Sequence, residues 1–237
     1  MNSNKQTARI AGSLYLLLVV TGIFNLKYVP EKINVSGDAA ATVHNIIAYD
    51  SLYRWGIAVG FIGFIGFLLL PLVLYKLLKP VNEIHAKLMV IFAVVSVPIS
   101  FINMANRFAV LSLVSDANYL KVFSSEALQA QVMFYNDLYD SVNLIAMIFW
   151  GLWLFPFGYL VFKSGFLPRI LGLRLMIGCF GYLITVFGNT LIPNYHEFGI
   201  TSYVLLPGSI GELGTCLWLL IMGAKEPVDP SKDKLTN

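Results

Sequence analysis

The chain has 237 residues, of which 57% are hydrophobic and only 12% are charged. An ordinary soluble domain has about 25% charged residues, so this composition excludes a soluble globular protein. The net charge of +3 does not indicate nucleic-acid binding, because lysine and arginine are scattered at the ends of apolar blocks and do not cluster with aromatic residues. The expected partner of the chain is the lipid bilayer.

Six apolar blocks follow one another, each about long enough to cross a hydrocarbon layer about 30 Å thick at about 1.5 Å per residue. They are Ala8–Leu26, Tyr53–Leu78, Leu88–Val114, Ser141–Phe162, Pro168–Ile192 and Tyr203–Met222. We therefore predict an all-α integral membrane protein, a single bundle of about six transmembrane helices formed by residues 1–224. Residues 225–237, with two prolines and alternating charges, are expected to be a disordered cytoplasmic tail.

The basic residues predict the orientation of the bundle, because cytoplasmic loops carry an excess of lysine and arginine. Eleven of them fall on the side of the chain ends: Lys5, Arg9, Lys76, Lys79, Lys87, Lys163, Arg169, Arg174, Lys225, Lys232 and Lys234. Four fall on the other side: Lys27, Lys32, Arg54 and Lys121. Both termini are therefore expected in the cytoplasm.

Two helix starts are expected on the outer side. Asp38 precedes Ala39-Ala40-Ala41, which is typical of an N-cap followed by good helix formers. A short interfacial helix is therefore predicted in the first outer loop. Ser124 precedes another such run, and no glycine or proline follows until Gly151, so the fourth transmembrane helix is predicted to begin outside the membrane.

Several segments resemble one family of bacterial membrane proteins, known as domain of unknown function 4386. The most specific is the connection Ser164-Gly165-Phe166-Leu167-Pro168-Arg169, within the longer run from Gly158 to Gly172. Further segments that fit are Ala8–Gly12, Gly37–Ala40, Leu77–Asn82, Gly181–Leu183, Gly211–Leu213 and Leu217–Leu220. The resemblance implies a helical bundle in the bacterial cytoplasmic membrane, and it implies no particular activity.

Polar residues recur at helical spacing within the apolar blocks, although ionisable groups are costly there. The third block carries Ser96, Ser100, Asn103 and Arg107; the fourth carries Asn136, Asp140 and Asn143; the fifth carries Tyr182, Thr185 and Asn189. Each stripe is expected to face the interior of the bundle. Arg107 should lie at the depth of Asp137 and Asp140 and form an ion pair with one of them.

These stripes predict a polar cavity that faces outward and binds a small molecule or an ion. Its candidate residues are Asn103, Arg107, Asp140, Asn143, Asn189, Glu212, His44 and His196. Glu212 lies near the middle of the sixth block, where it should be either protonated or held by donors such as Arg107, Asn103 or Tyr182. Alternatively, the polar groups only hold the helices together.

The leading interpretation is a non-enzymatic membrane protein that binds or passes a small molecule or ion, or serves as a structural component. The alternative is a membrane-embedded hydrolase, metal-dependent or not, that acts from the extracytoplasmic face through His44, His196 and a carboxylate. His85 is expected on the cytoplasmic side, away from both. No phosphate-binding loop, nucleophile elbow, dinucleotide fingerprint or HExxH pair occurs in the sequence, so no metal or cofactor is assigned.

Overall fold

The computed structural model describes residues 3–224, without the side chains of Ser3 and His196. The tail predicted at 225–237 lies outside the described residues. The α-helices are α1 (Ser3–Ile23), α2 (Val29–Ile33), α3 (Ala39–Ala48), α4 (Asp50–Leu78), α5 (Glu83–Leu113), α6 (Ser125–Leu152), α7 (Leu154–Lys163), α8 (Arg169–Leu191) and α9 (Thr201–Ile221). A π-helical segment at Phe24–Tyr28 joins α1 to α2, and short 3₁₀ turns lie at Asn118–Val122 and Tyr195–Phe198.

Six of these helical stretches are long and apolar enough to cross a membrane, which confirms the predicted number of spans. They run over Asn4–Ile33, Asp50–Leu78, Glu83–Leu113, Ser125–Lys163, Arg169–Leu191 and Thr201–Ile221. Large apolar side chains such as Ile102, Val20 and Phe187 are exposed around them, as expected for a surface that faces lipid. The protein is a multi-pass membrane protein.

The two ends of the bundle can be told apart by the path of the chain. Helices α1 and α9 are antiparallel, since Gly223 packs against Lys5 and Gly12 packs against Leu220. We call the end where α1 begins and α9 finishes the terminal face, and the opposite end the far face. The loops at the terminal face are short, whereas α3 and the 3₁₀ turns lie at the far face.

Both predicted helix starts are present, and each is capped as its sequence indicates. The Asp38 carboxylate accepts a hydrogen bond from the Ala41 N–H (2.8 Å) at the start of α3. The Ser124 hydroxyl accepts one from the Ala127 N–H (3.2 Å) at the start of α6. The fourth span therefore begins far ahead of its apolar block, as predicted.

The first span extends beyond its predicted end at Leu26. Pro30 has no N–H to donate, and the chain accommodates it with a π-helical segment in which the Val29 N–H bonds to the Phe24 carbonyl. The fourth span is interrupted at Trp153, between α6 and α7. This break was not predicted, and Pro156 accounts for it because it cannot donate to the carbonyl one turn earlier.

Glycines set the distances between neighbouring helices. On α4, a Cβ added at Gly63 would lie 2.7 Å from the Thr21 hydroxyl, and Gly66 packs against Leu17 and Leu18. The ridge formed by Gly60, Gly63 and Gly66 therefore serves close helix packing. Even closer backbone contacts join α7 to α8 at Gly158 and Gly172, and α8 to α9 at Gly178 and Gly208.

Replacing Gly172 with alanine should destabilise the bundle by about 1–3 kcal/mol, because a rigid Cβ would overpack a close helix contact. That Cβ would lie 2.5 Å from the Gly158 carbonyl oxygen, an atom that cannot move without its helix. Gly22→Ala is the matched control, since a Cβ there meets nothing within 4 Å. Thermal unfolding of the purified variants in detergent measures both. Equal stability of the two variants would contradict the packing argument.

Candidate functional site

The bundle contains a partly open cavity of about 510 Å³ between α1, α4 and α9. Contacts between α1 and α9 run from Gly223 and Lys5 at the terminal face to Glu212 and Tyr15 in the middle of the bundle. The cavity continues from Tyr15 along α1 as far as Leu26, towards the far face. Its volume is in the range of about 300–1,000 Å³ that small-molecule sites usually have.

Glu212 is the acidic residue that lines this cavity. Its carboxylate accepts hydrogen bonds from the Tyr15 hydroxyl (3.3 Å) and the Tyr182 hydroxyl (3.5 Å). These three residues come from α9, α1 and α8. The backbone contacts of Gly208 and Gly211 with α8 hold this part of α9 in place. The carboxylate is thus positioned by two hydroxyls from two other helices.

Aromatic rings form the wall next to this carboxylate. The Trp153 ring lies 6.1 Å from the Tyr15 ring, 5.2 Å from the Phe67 ring and 5.1 Å from the Phe157 ring, measured between centroids. Trp153 is 2% exposed, at the break between α6 and α7. The break therefore places an indole beside the acidic group.

A second polar group lines the cavity at the π-helical segment of the first span. The side chain of Asn25 is only 3% exposed, and its Oδ1 has no hydrogen-bond partner. The small surface of Gly60 makes room for this amide. One turn earlier, Thr21 donates to the Leu17 carbonyl (2.7 Å). π-Helical segments often occur at functional sites, and this one brings a buried amide to the cavity.

The polar groups of the cavity mostly present acceptors. The hydroxyls of Tyr15 and Tyr182 donate to Glu212, and those of Thr21 and Ser209 donate to carbonyls of their own helices. Their protons are therefore used, and their oxygen lone pairs remain. No lysine or arginine is among the lining residues. The cavity is acidic, aromatic and rich in acceptors.

The other candidate residues from the third and fourth spans form a separate cluster. Asn103 donates to the Tyr139 carbonyl (2.9 Å) and to the Asn143 side chain (3.0 Å), which joins α5 to α6. Ser96, Ser100, Asn103 and Arg107 are all buried, so this stripe faces the interior as predicted. None of these residues lines the cavity at Glu212.

Arg107 lies in this cluster, 7% exposed, but the expected ion pair is not formed. Among residues 3–224, no carboxylate oxygen lies within 4.0 Å of its guanidinium. Its Cζ lies 4.1 Å from the centre of the Tyr139 ring and 5.3 Å from that of Tyr53. The prediction of a pair with Asp137 or Asp140 was wrong, because aromatic faces take the place of the carboxylate.

The remaining candidates are dispersed. Asp140 is exposed on α6, His44 is exposed on α3, and Asn189 donates to the Thr185 carbonyl of its own helix (2.8 Å). His196 lies in the 3₁₀ turn Tyr195–Phe198. The structure thus divides the single predicted cavity into two polar centres, one at Glu212 and one at Arg107.

Sequence reasoning missed Tyr15, Thr21, Asn25 and Trp153. Thr21 and Asn25 are spaced by four residues and pack against the glycine ridge of α4. This spacing could have predicted that both side chains face the interior of the bundle. Tyr15 carried no such signal, because an aromatic residue within an apolar block is usually an ordinary core residue.

Comparisons with known proteins identify the family of the chain but no activity. The model of a family described as "Domain of unknown function (DUF4386)" matches residues 10–223. The chain belongs to this family. It is also 26% identical over 152 residues to an uncharacterized protein of Archaeoglobus fulgidus, an alignment that covers 64% of this chain and 74% of that protein. No solved structure matches the chain significantly.

The alternative of a metal-dependent hydrolase gains no support. Within the described part of the chain, no three histidine, cysteine, aspartate or glutamate side chains are placed to hold a metal ion. His85, the histidine expected on the other side from His44, stacks on Tyr159 with the ring centroids 4.1 Å apart, at the terminal face. The family's description adds no activity.

Tyr15→Phe and Tyr182→Phe should each lower the free energy of unfolding by about 0.6–2 kcal/mol, the range of hydrogen bonds between membrane helices. In a Glu212→Leu background both changes should cost much less, because the acceptor is gone. Tyr203→Phe is the control, since Tyr203 is 78% exposed. Equilibrium unfolding of this double-mutant cycle measures the coupling, and additive losses would contradict it.

Proposed function

We propose that this protein is a non-enzymatic membrane protein that binds small organic cations in the cavity at Glu212. The observation that carries the proposal is the Glu212 carboxylate, which faces a cavity and is held by the hydroxyls of Tyr15 and Tyr182. A carboxylate used only to join helices would have no need of an adjoining cavity of about 510 Å³.

The chemistry of the wall favours a cation over a neutral or anionic ligand. Indole and phenol rings attract cations through their negative faces, and Trp150 and Trp153 both line the cavity. The unpartnered Oδ1 of Asn25 can accept a hydrogen bond from an ammonium group. An apolar body with one positive charge therefore fits both parts of the lining.

Small residues of α1 and α9 leave room for such a ligand. A Cβ added at Gly22 would meet no atom within 4 Å, and Ser209 lines the cavity with its hydroxyl bonded to its own helix. The cavity extends towards the far face, which in this proposal faces outward. An organic cation would enter from that side.

We further propose that the protein lies in the cytoplasmic membrane with both termini in the cytoplasm. The support is the excess of lysine and arginine at the terminal face. The resemblance to a bacterial membrane family agrees with this location.

Cysteine labelling of whole cells tests the orientation. In a background with Cys179 and Cys216 replaced by alanine, Val122→Cys should react with a membrane-impermeant maleimide, because Val122 is 81% exposed at the far face. Lys163→Cys, exposed at the terminal face, should react only after the cells are permeabilised. The reverse pattern would invert the proposed topology.

Binding of tetraphenylphosphonium tests the function, with tetraphenylborate as an anion of the same shape. The cation should bind the full-length protein and quench tryptophan fluorescence, and the anion should not. Glu212→Gln keeps the shape of the side chain and should weaken cation binding at least about tenfold, a loss of about 1.4 kcal/mol. The control variant Asp140→Asn removes an exposed acid outside the cavity and should leave the affinity unchanged.

Trp153→Phe separates binding at this site from nonspecific partitioning into detergent. It should reduce the quenching to the part contributed by Trp150 and weaken the affinity, because the Trp153 indole forms part of the wall. Equal affinity of wild type and Glu212→Gln for the cation would show that the carboxylate serves only to hold helices together.

A further inference from the structure

We infer that Arg107 forms the centre of a second site, separate from the cavity at Glu212, which binds a small anion. The inference rests on a buried guanidinium whose neighbours are hydrogen-bond donors and aromatic faces. It does not depend on the function proposed for the cavity, since no residue of the two sites is shared.

Arg107 carries a permanent charge in a membrane-spanning helix. Arginine does not lose its proton in proteins, and such groups in membrane spans normally pair with an acid or with backbone carbonyls. Here the side chain is 7% exposed, its Nε has no hydrogen-bond partner, and no carboxylate of the described chain lies within 4.0 Å. The charge is therefore only partly compensated by the protein.

The two tyrosine rings orient the guanidinium. Its Cζ lies 4.1 Å from the centre of the Tyr139 ring and 5.3 Å from that of Tyr53. The N–H groups of a guanidinium lie in its own plane, so contacts with ring faces do not occupy them, and the Nε–H of Arg107 has no hydrogen-bond partner. An anion at the edge of the group would accept from them.

The other unpartnered atoms of this region can also donate. The hydroxyls of Tyr53 and Tyr139 and the Nδ2 of Asn136 are buried without a hydrogen-bond partner. Buried polar groups of this kind usually have a partner. Tyr53 comes from α4 and Tyr139 from α6, and Asn136 lies one turn before Tyr139 on the same helix. With Arg107 itself on α5, unpartnered donors of three helices meet in this region. A single bound anion would satisfy several of them.

The asparagine cluster next to Arg107 already has its hydrogen-bond partners within the protein, and it holds α5 and α6 together at the proposed site. Asn103, one turn from Arg107 on α5, bonds to Tyr139 and Asn143, and it accepts from Asn106 (2.8 Å). These bonds hold α5 against α6. Because their donors and acceptors are used within the protein, the ligand belongs at Arg107 and not at the asparagines.

Asp140 is the acid that competes with an anion for this charge. It lies one turn beyond Asn136 and directly after Tyr139, is exposed, and forms no ion pair with Arg107. Asp137 is likewise exposed on α6. If Asp140 repels an incoming anion, its replacement by asparagine should strengthen anion binding.

The test is thermal unfolding of the full-length protein in detergent, with chloride or acetate replacing gluconate at constant ionic strength. A ligand that binds the folded state raises the melting temperature with concentration, so both small anions should stabilise the wild type in a saturable way. Arg107→Met should remove this dependence. Tyr139→Phe keeps the ring, removes the hydroxyl and should weaken the anion affinity by about tenfold.

Three controls make the outcome decisive. Glu212→Gln should be stabilised by anions as much as the wild type, which separates this site from the proposed cation cavity. Tyr119→Phe, at an exposed tyrosine, should also be stabilised as much as the wild type. Asp140→Asn should respond at lower anion concentration. If Arg107→Met does not fold, the proposal is tested by comparing the anion affinities of the wild type and of the Tyr139→Phe variant.

Several outcomes would overturn the proposal. The first is a wild type whose melting temperature does not change with chloride or acetate. This includes the case in which only the Asp140→Asn variant is stabilised, which would mean that Asp140 itself occupies the site. The second is an unchanged response in Arg107→Met. The third is a protein that small anions do not stabilise but that is more stable in nanodiscs with phosphatidylglycerol than in nanodiscs of phosphatidylcholine alone. That result would mean that Arg107 binds a lipid phosphate.

Discussion

Close contact between helix backbones is the constraint on which this structure depends. In a bilayer the hydrophobic effect does not drive helices together, and association relies on packing and on hydrogen bonds. Gly158 and Gly172 bring α7 against α8, and Gly178 and Gly208 bring α8 against α9. Since α8 is fixed on both sides, Tyr182 and Glu212 are held at hydrogen-bonding distance. The geometry of the acidic centre therefore follows from residues that have no side chain.

The cavity arises where this close packing ends. Helix α1 follows α9 from the terminal face to Tyr15, and beyond that point it packs along the glycine ridge of α4. The ridge accepts Thr21 and Asn25, and the space left towards α9 is the cavity. Pro156 and Pro30 act in the same region, because the helix break beside Pro156 presents Trp153 and the π-helical segment before Pro30 presents Asn25. Sites of backbone irregularity thus contribute two of the residues that line the cavity.

The spans, the two capped helix starts and the inward face of the Ser96–Arg107 stripe could be predicted from sequence, because each depends on local chemistry or on periodicity along one helix. The partition of the polar residues could not. Periodicity shows that Arg107 and Glu212 both face inward, but it does not show that α5 faces α6 while α9 faces α1 and α8. Depth alone suggested Asp137 or Asp140 as the partner of Arg107. The structure instead places the rings of Tyr139 and Tyr53 there, because Tyr139 lies on the buried face of α6 and Asp140 on the exposed one.

Glu212 and Arg107, an acidic and a basic side chain, lie in separate polar centres of one bundle. In an ion pair each group would compensate the charge of the other, and neither would be left to attract a charged ligand. Each is supported instead by two tyrosines, used in different ways. Tyr15 and Tyr182 direct hydroxyls at the carboxylate, whereas Tyr53 and Tyr139 direct ring faces at the guanidinium. A phenol can stabilise either sign, since its O–H is a donor and its ring face attracts cations. Neither arrangement places an opposite charge beside the group, and this is the feature from which both proposed ion sites are inferred.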